Sequence, residues 1–223
     1  MKVAALCSGG KDSIYAIYKA QEKHTVEVLI AMKSINPDSY MFHRPNIDLV
    51  KLQSEALEIH LIFKETKGEK EKELEDLRDA IKEAKEKYNI KGIVSGALAS
   101  NYQRKRIENI CKELNLESIA PLWHIDPEKY MKELLSKFKI IIVKVACDGL
   151  GKDLLGKEIN LEEIEKLSKK YRFHIAFEGG EAETFVLDGP IFKKKIIVKD
   201  SEIFWNEKES YGKININAKL ANK

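Results

Sequence analysis

The stretch KVAALCSGGKDS, residues 2–13, decides how this chain of 223 residues folds. Its first part, residues 2–7, is a short apolar run typical of a buried strand, and residues 11–22 continue as an amphipathic helix. Gly9 and Gly10 stand between the two. The pattern predicts a strand, a tight glycine turn and a helix, which together form the first unit of a parallel α/β sheet.

Outward from this stretch, apolar runs alternate with amphipathic segments. We predict strands at residues 2–7, 26–32, 60–63, 90–95 and 118–122, and helices at residues 11–22, 47–57, 69–88 and 102–114. Alternating strands and helices imply right-handed crossovers, and therefore a doubly wound, mainly parallel five-stranded sheet covered on both faces. Ligands of such sheets bind beyond the carboxyl ends of the strands, which is where Ser8, Ser95 and the segment after Met32 fall.

The pattern changes after Trp123. We predict a helix at residues 127–138, a strand at 140–146 and a helix at 161–171 that Asn160 caps, followed by several short strands within 184–217. Short, partly alternating strands favour an antiparallel or mixed sheet. We therefore expect an α/β domain at residues 1–122 and a smaller α+β domain at residues 123–223.

Composition excludes several classes of protein. The 39 basic and 36 acidic side chains nearly cancel to a net charge of +3, which is too little to indicate nucleic-acid binding. No apolar run approaches the roughly 18 residues of a membrane helix, so we expect a cytoplasmic protein without a membrane partner. Cys7, Cys111 and Cys147 lie far apart in sequence, which indicates neither a disulfide framework nor a clustered zinc site.

The loop SGGKDS, residues 8–13, has the chemistry of a phosphate site. Adjacent glycines let an anion approach the main chain, and the free N–H groups at the start of a helix attract phosphate oxygens. Ser8 and Ser13 add hydroxyl donors and Lys11 adds a positive charge. Asp12 repels phosphate unless a cation bridges the two, and Mg²⁺ is the cation that suits this position.

Two better-known phosphate loops do not fit. A Walker A loop needs Gly at position 5 and Ser or Thr at position 12, where the sequence has Ala5 and Asp12, and no GxGxxG is present. SGGKDS after an apolar strand instead resembles the PP-loop of N-type ATP pyrophosphatases. The resemblance implies that the loop holds the β and γ phosphates of ATP and leaves the α phosphate open to attack. An ordinary strand–turn–helix is the alternative, which six matching positions disfavour.

A second motif, EGGEAET at residues 178–184, is an acidic turn. Glu178, Glu181 and Glu183 repel one another unless a cationic substrate, a metal or a lysine neutralises them. The alternative is an acidic turn exposed to water, and composition alone does not separate the two interpretations.

Two further segments follow predicted strands. Ser95 and Gly96, then Tyr102 and Arg106, are suited to phosphate or ribose, although a basic helix face in water is the alternative for the neighbouring side chains. Residues 40–46, YMFHRPN, are aromatic and sulfur-rich. They can pack against a nucleobase or form a small satellite core, and pattern alone favours the core.

Together these motifs resemble the diphthine–ammonia ligase family, a PP-loop family, over nearly the whole chain. The resemblance rests on residues 8–13, 41–43, 45–46, 95–97, 102–103, 106, 121–123, 149–150, 155–156 and 178–184, and on 187–190. EGGEAET combined with MFH-x-PN is its most specific part. The chain departs at Arg44, where a smaller residue is expected, and at Asp148, where Glu is expected.

The resemblance implies a reaction. Diphthine, a modified histidine that carries a trimethylammonium group and a carboxylate on translation elongation factor 2, is amidated with ammonium and ATP. The carboxylate attacks the α phosphate, an acyl-adenylate and pyrophosphate form, and ammonia displaces AMP. The acidic turn can attract either cation or deprotonate ammonium, and these roles stay open. The expected partners are therefore the diphthine-bearing factor and ammonium, and a homodimer is left open.

The resemblance also assigns residues to roles. The catalytic residues are Lys11, Asp12, Glu181 and Glu183, with Asp12 as the Mg²⁺ ligand. The nucleotide site consists of Ser8, Gly9, Gly10, Lys11, Asp12, Ser13, Ser95, Gly96, Tyr102 and Arg106. The acceptor site consists of Glu178, Gly179, Gly180, Glu181, Glu183 and Thr184. Two alternatives remain, a tRNA-modifying PP-loop enzyme that adenylates a base and a nucleotide-binding sensor without chemistry.

Overall fold

The computed structural model describes residues 1–36, 45–69 and 72–223. The first half forms strands β1 (Lys2–Leu6), β2 (Thr25–Ser34), β3 (His60–Thr66), β4 (Gly92–Val94) and β5 (Glu117–Ile119), and helices α1 (Lys11–Ala20), α2 (Val50–Leu57), α3 (Lys72–Tyr88) and α4 (Asn101–Glu113). The strands form one sheet in the order β3-β2-β1-β4-β5, and every neighbouring pair is parallel. The predicted doubly wound parallel sheet is confirmed.

This sheet is buried on both faces, which explains its apolar strands. Val3 and Ala5 face one way and pack with α1 and α2, whereas Ala4 faces the other way and packs with α3 and α4. A strand covered on both faces needs a continuous apolar run rather than alternation. After the exposed Lys2, β1 therefore carries only small or branched apolar residues, as does β4, and polar residues follow the carboxyl end of each strand.

The second half forms a smaller sheet with its own helices. It contains α5 (Pro127–Lys137), β6 (Lys139–Ala146), α6 (Leu161–Tyr171), β7 (Ala182–Asp188), β8 (Lys194–Asn206) and β9 (Tyr211–Asn222). The strand order is β7-β6-β9-β8 and all the paired strands are antiparallel. The predicted smaller α+β part, with an antiparallel sheet, is confirmed.

The prediction of several short strands in this region is wrong. β8 and β9 are 13 and 12 residues long and form one hairpin. The polar residues Asp200 to Glu202 interrupt the apolar pattern, but they lie in an exposed part of β8 where polar side chains stay in water. Because both faces of this part of β8 are exposed to solvent, its sequence does not alternate between apolar and polar residues, and a long strand could not be predicted from it.

Two helices of the second half have side-chain caps. Asp126 Oδ1 accepts a hydrogen bond of 2.8 Å from Lys129 N, and Asn160 Oδ1 accepts one of 3.1 Å from Glu163 N, as predicted for Asn160. Such caps stabilise a helix by about 1 kcal/mol each. The first of them fixes the start of α5, one turn before the buried Tyr130. Within the described ranges no helix is long and apolar enough to cross a membrane.

The two sheets share one hydrophobic core. A single cluster runs from Val3 and Ile17 in the first half to Ile140 and Val186 in the second. Asn46 adds a polar connection, since its amide donates to Ile214 O at 2.8 Å and accepts from Ile216 N at 2.9 Å. The halves therefore pack closely, and the boundary at residue 122 stays a prediction.

Candidate active site

The SGGKDS loop, residues 8–13, connects β1 to α1 in a conformation that requires glycine. Gly9 has φ +80°, and a Cβ there would come within 2.9 Å of Gln53 Oε1 and 3.0 Å of the Phe185 ring. Ser13 closes the loop, because its hydroxyl donates to Gly10 O at 3.0 Å and accepts from Ser8 N at 3.3 Å. The loop is therefore preorganised by its own side chains.

Backbone hydrogen bonds join this loop directly to β7 of the second sheet. Lys11 N donates to Thr184 Oγ1 at 3.0 Å, and Val186 N donates to Gly9 O at 3.1 Å. Thr184 is the last residue of the EGGEAET turn. The two motifs that the sequence places some 170 residues apart are therefore in contact.

Gln53 of α2 strengthens this junction. Its amide Nε2 donates to Gly9 O at 3.0 Å and to Val186 O at 2.8 Å, and the side chain has no exposed surface. A buried amide that bonds two main chains fixes their separation, and each of its hydrogen bonds contributes about 0.5–1.5 kcal/mol. Gln53 therefore sets the distance between the SGGKDS loop and β7.

The Asp12 carboxylate is held from both halves of the chain. Its Oδ1 lies 2.6 Å from Lys11 Nζ and accepts a hydrogen bond of 2.7 Å from the hydroxyl of Tyr130 on α5. Burial and then the Asp12 charge raise the pKa of Tyr130 well above the ordinary tyrosine value, so Tyr130 stays a donor. Both contacts use the same oxygen, which leaves Oδ2 for a cation.

Two adjoining cavities open around the loop, at the carboxyl ends of the strands. The first, about 210 Å³, reaches from Ser8 and Asp12 past Ser95 to the apolar side chains of Met32 and Ile107. The second, about 250 Å³, is bounded by the loop on one side and by the EGGEAET turn on the other. The cavities lie at the edge of the sheet where the sequence predicts a ligand site, and ligand binding there stays a prediction.

Gly96 brings β4 against the start of α1. A Cβ at Gly96 would come within 2.7 Å of the Asp12 carbonyl carbon and 2.8 Å of Ser13 N. Both contacts are to backbone, which cannot rotate away. Only glycine therefore lets the end of β4 approach the loop so closely, and Ser95 and Gly96 both line the first cavity, as expected.

The three carboxylates of the acidic turn have different surroundings. Glu183 Oε1 pairs with Lys144 Nζ at 2.8 Å, across the β6–β7 register that sets these two residues opposite each other. Glu181 Oε1 accepts a hydrogen bond of 2.9 Å from His174 N. Glu178 is exposed, and loss of hydration followed by the Asp12 charge raises its pKa. One of the three carboxylates is thus neutralised by a lysine.

Other predicted residues are placed differently. The Arg106 guanidinium stacks on the Tyr102 ring at 3.4 Å, and neither residue lines the two cavities, so their role at the nucleotide stays a prediction. Of the YMFHRPN segment, Tyr40, Met41, Phe42, His43 and Arg44 lie outside the described residues, whereas Pro45 lines the second cavity.

Cys7 beside the loop is not a nucleophile. Burial raises the pKa of the Cys7 thiol to about 11, so it carries no charge at neutral pH. A buried neutral thiol behaves as a small apolar side chain, which agrees with its interpretation as an inert core residue.

Sequence reasoning missed three residues of this site: Gln53, Tyr130 and Lys144. Gln103, on which the family resemblance partly rests, lines both cavities, although the sequence assigned it no role of its own. Glutamine occurs only at positions 21, 53 and 103, but no motif marks Gln53. No local pattern marks Tyr130 or Lys144, because each is brought to the site by tertiary structure.

The fold and the site define a doubly wound α/β protein with a glycine-rich loop at the carboxyl end of its first strand. A sequence profile described as "Diphthamide synthase N-terminal domain" matches residues 1–118, and one described as "Diphthamide synthase C-terminal domain" matches residues 126–220. The chain belongs to the diphthamide synthase family, and it is a ligase.

Curated relatives match this chain over nearly its whole length. "Diphthine--ammonia ligase" from Mus musculus is 39% identical over 242 residues, which covers 96% of this chain and 89% of the relative. The human protein of the same name is 38% identical over 240 residues with the same coverage. That of Schizosaccharomyces pombe is 34% identical over 228 residues, which is 91% of this chain and 37% of a longer protein.

Proposed function

We propose that this protein uses ATP to amidate diphthine on translation elongation factor 2 with ammonium, giving diphthamide, AMP and pyrophosphate. The observation that carries the proposal is the direct bonding of the SGGKDS loop to β7. It brings a loop suited to phosphate and a turn suited to a cationic acceptor to one cavity. The names of the relatives support the same acceptor and nitrogen donor, and a cytoplasmic location follows from this substrate.

The nucleotide would occupy the first cavity and the loop. Phosphate oxygens bind to the loop residues Ser8, Gly9, Gly10, Lys11 and Ser13. The nucleotide also contacts Ser95 and Gly96 at the end of β4. The outer part of the site is formed by Tyr102 and Arg106. The apolar end of the first cavity, at Met32 and Ile107, suits a base better than a charged group.

Asp12 is suited to be the protein ligand of a magnesium ion whose other ligands come mainly from the substrate. No group of three or more acidic, histidine or cysteine side chains that could hold a metal occurs in the described part of the chain. Mg²⁺ commonly binds through one or two carboxylates together with substrate phosphates, so a single aspartate is a sufficient protein ligand. When bound, the ion would neutralise charge that develops on the departing pyrophosphate.

The reaction has two steps. An oxygen of the diphthine carboxylate attacks the α phosphorus, the bond between the α and β phosphates breaks, and pyrophosphate leaves with the bonding electrons. Ammonia then attacks the carbonyl carbon of the acyl-adenylate, and AMP departs as the amide forms. Lys11, which is only 3% exposed, stabilises negative charge on the phosphates in the first step.

Glu181 is the carboxylate that we assign to ammonium. His174 N holds its Oε1, while its Oε2 is buried without a hydrogen-bond partner within the described residues. An oxygen with an unused lone pair can accept a proton from NH₄⁺ and release the nucleophile NH₃. Glu181 lies between Gly180 and Ala182, which both line the second cavity.

Replacing Glu183 by glutamine is expected to preserve ATP binding and to slow amide formation by roughly 100-fold, because a charge beside the acceptor is lost. The substitution also leaves Lys144 without its ion pair, so thermal stability should fall as well. The double variant E183Q with K144M removes both charges and should regain stability without regaining activity. Recovery of activity in the double variant would mean that Glu183 acts only on Lys144.

Replacing Tyr130 by phenylalanine is expected to lower the rate of pyrophosphate release by roughly 10-fold or more, since a hydrogen bond to a charged group contributes about 1.5–3 kcal/mol. The magnesium concentration for half-maximal rate should rise, because Asp12 is less well oriented. Tyr15→Phe is the matched control: Tyr15 is equally buried, with its ring centroid 5.3 Å from that of Tyr130. An equal magnesium effect in both variants would argue against a positioning role for Tyr130.

The proposed function is tested by offering two acceptors. The protein is incubated with ATP, magnesium and ammonium, together with either diphthine-bearing elongation factor 2 or unmodified tRNA, and pyrophosphate and AMP are measured. We expect turnover only with the factor. Turnover only with tRNA would establish the tRNA-modifying alternative, and none with either would favour a nucleotide sensor.

A further inference from the structure

A third cavity, of about 240 Å³, adjoins the second one and shares no lining residue with the first. It shares Leu98 and Glu178 with the second cavity, so these two residues form the border between them. Its walls are rich in carbon, with Leu98, Ile125, Pro127 and Ala176 among them. Tyr130 also lines this cavity, while its hydroxyl is engaged with Asp12.

The charge of the third cavity is negative. Glu178 is the one acidic side chain among its described lining residues, and it is exposed. His174 also lines the cavity, and its Nδ1 accepts the Ala176 N–H at 3.2 Å. No lysine or arginine is among the described lining residues, so a cation that enters would meet the Glu178 carboxylate.

The other two carboxylates of the turn are engaged elsewhere. Glu183 is paired with Lys144, and Glu181 accepts from the main chain of His174; neither lines the third cavity. The roles that the sequence left open can therefore be separated by position. Glu178 is the carboxylate at the border between the second cavity and the mainly apolar third cavity.

The lining distinguishes between the two cations of the proposed reaction. Ammonium is about the size of a water molecule, roughly 30 Å³, and donates hydrogen bonds, so it needs several acceptors in a small site. A trimethylammonium group has no N–H and spreads its charge over methyl groups, so it suits apolar and aromatic walls beside one negative charge. The third cavity is large, carbon-rich and singly acidic.

We propose that the third cavity, with Glu178 at its border, binds the trimethylammonium group of the acceptor side chain. This inference rests on the proposed function, because it assigns a place to one part of that substrate. The acceptor carries its quaternary nitrogen and its carboxylate on one side chain, which requires two adjoining spaces. The carboxylate then lies in the second cavity near the SGGKDS loop, and the methyl groups lie beyond Glu178.

Selectivity for methylation follows from this placement. Each methyl group removed from the nitrogen leaves part of an apolar cavity unfilled and adds an N–H that finds few acceptors. Discrimination by one methyl-sized group in an apolar pocket is commonly 10- to 200-fold. We therefore expect kcat/KM to fall roughly 10-fold when the acceptor nitrogen carries one methyl group fewer.

The binding test uses tetramethylammonium chloride as the probe, with the full-length protein and without ATP or elongation factor. The imidazole signal of His124, which lines the cavity, is followed by NMR during the titration, and ammonium chloride at equal concentration is the comparison. His174 is not used as the reporter, because its main chain bonds Glu181, the carboxylate assigned to ammonium. We expect saturable shifts with tetramethylammonium and none with ammonium. Equal shifts with both salts would reflect ionic strength and overturn the proposal, and this comparison needs no variant.

Two variants, each of which removes one negative charge, make the test specific to the cavity. Glu178→Gln should weaken tetramethylammonium binding several-fold, because the one carboxylate that lines the cavity is lost. Glu128→Gln removes an exposed carboxylate on α5 that does not line the cavity, and should leave binding unchanged. Unchanged binding in Glu178→Gln would overturn the assignment. Absence of turnover with the factor would defeat the proposed function instead, since probe binding is measured without catalysis.

Discussion

Replacing Asp12 by alanine is expected to abolish measurable pyrophosphate release while the protein stays folded. Asp12 is the one residue that the proposed function assigns to magnesium, and loss of a single electrostatic contact to reacting groups costs roughly 100- to 1,000-fold in rate. The side chain is 34% exposed and its loss leaves no cavity in the core. The fold should therefore survive, at a stability reduced by about 1–3 kcal/mol because Lys11 and Tyr130 lose their shared acceptor.

The isosteric variant Asp12→Asn separates these two effects. It keeps an oxygen for Lys11 and Tyr130 but removes the charge, so we expect a smaller loss of stability than in Asp12→Ala and a rate as low as that of Asp12→Ala. Asp79→Ala, which removes an exposed carboxylate from α3, is the control for a general loss of negative charge. Near-normal turnover in Asp12→Asn would remove Asp12 from the phosphate chemistry.

Replacing Gly96 by alanine is expected to cause the second large loss. The added methyl group would meet the backbone of Asp12 and Ser13 at 2.7–2.8 Å, so the SGGKDS loop or the end of β4 has to move. Such overpacking costs about 1–3 kcal/mol of stability. Displacement of reacting groups by about 1 Å can lower a rate roughly 100-fold, and ATP affinity measured by calorimetry should fall with it.

Gly151→Ala is the matched control for Gly96→Ala. The new Cβ at Gly151 would meet chiefly the Asp153 carboxylate, the movable end of an exposed side chain. We therefore expect unchanged ATP affinity and nearly unchanged stability in that variant. If Gly96→Ala bound ATP as tightly as Gly151→Ala does, the close approach of β4 would have no role in shaping the loop.

The first sheet could be predicted because its signals are local. Apolar runs such as residues 2–7, and helices of recurring apolar residues such as α3, identify their own structure without knowledge of their neighbours. The hairpin of β8 and β9 lacks this property. Its outer part is paired but not buried, so pairing with the opposite strand, which sets Glu202 opposite Asn215, defines it rather than an alternating pattern.

In the candidate site too, the sequence predicts the local features and not those that depend on tertiary contacts. The SGGKDS loop is specified by adjacent residues, and the sequence identified it together with its glycine requirement. The contacts of Gln53 with Gly9 and of Tyr130 with Asp12 span 44 and 118 residues, and no local pattern anticipates either. Glu183 could be interpreted only once the β6–β7 register placed Lys144 opposite it.

The bonds from Gly9 and Lys11 to β7 have a consequence for how the protein matures. A growing chain would complete β1, the SGGKDS loop and the parallel sheet long before Thr184 and Val186 are synthesised. Until then Lys11 N lacks Thr184 Oγ1 and Gly9 O lacks Val186 N, and only contacts within the first half, from Ser13 and Gln53, hold the loop. On the proposed function, ATP would then be consumed efficiently only by molecules whose acceptor site is already finished.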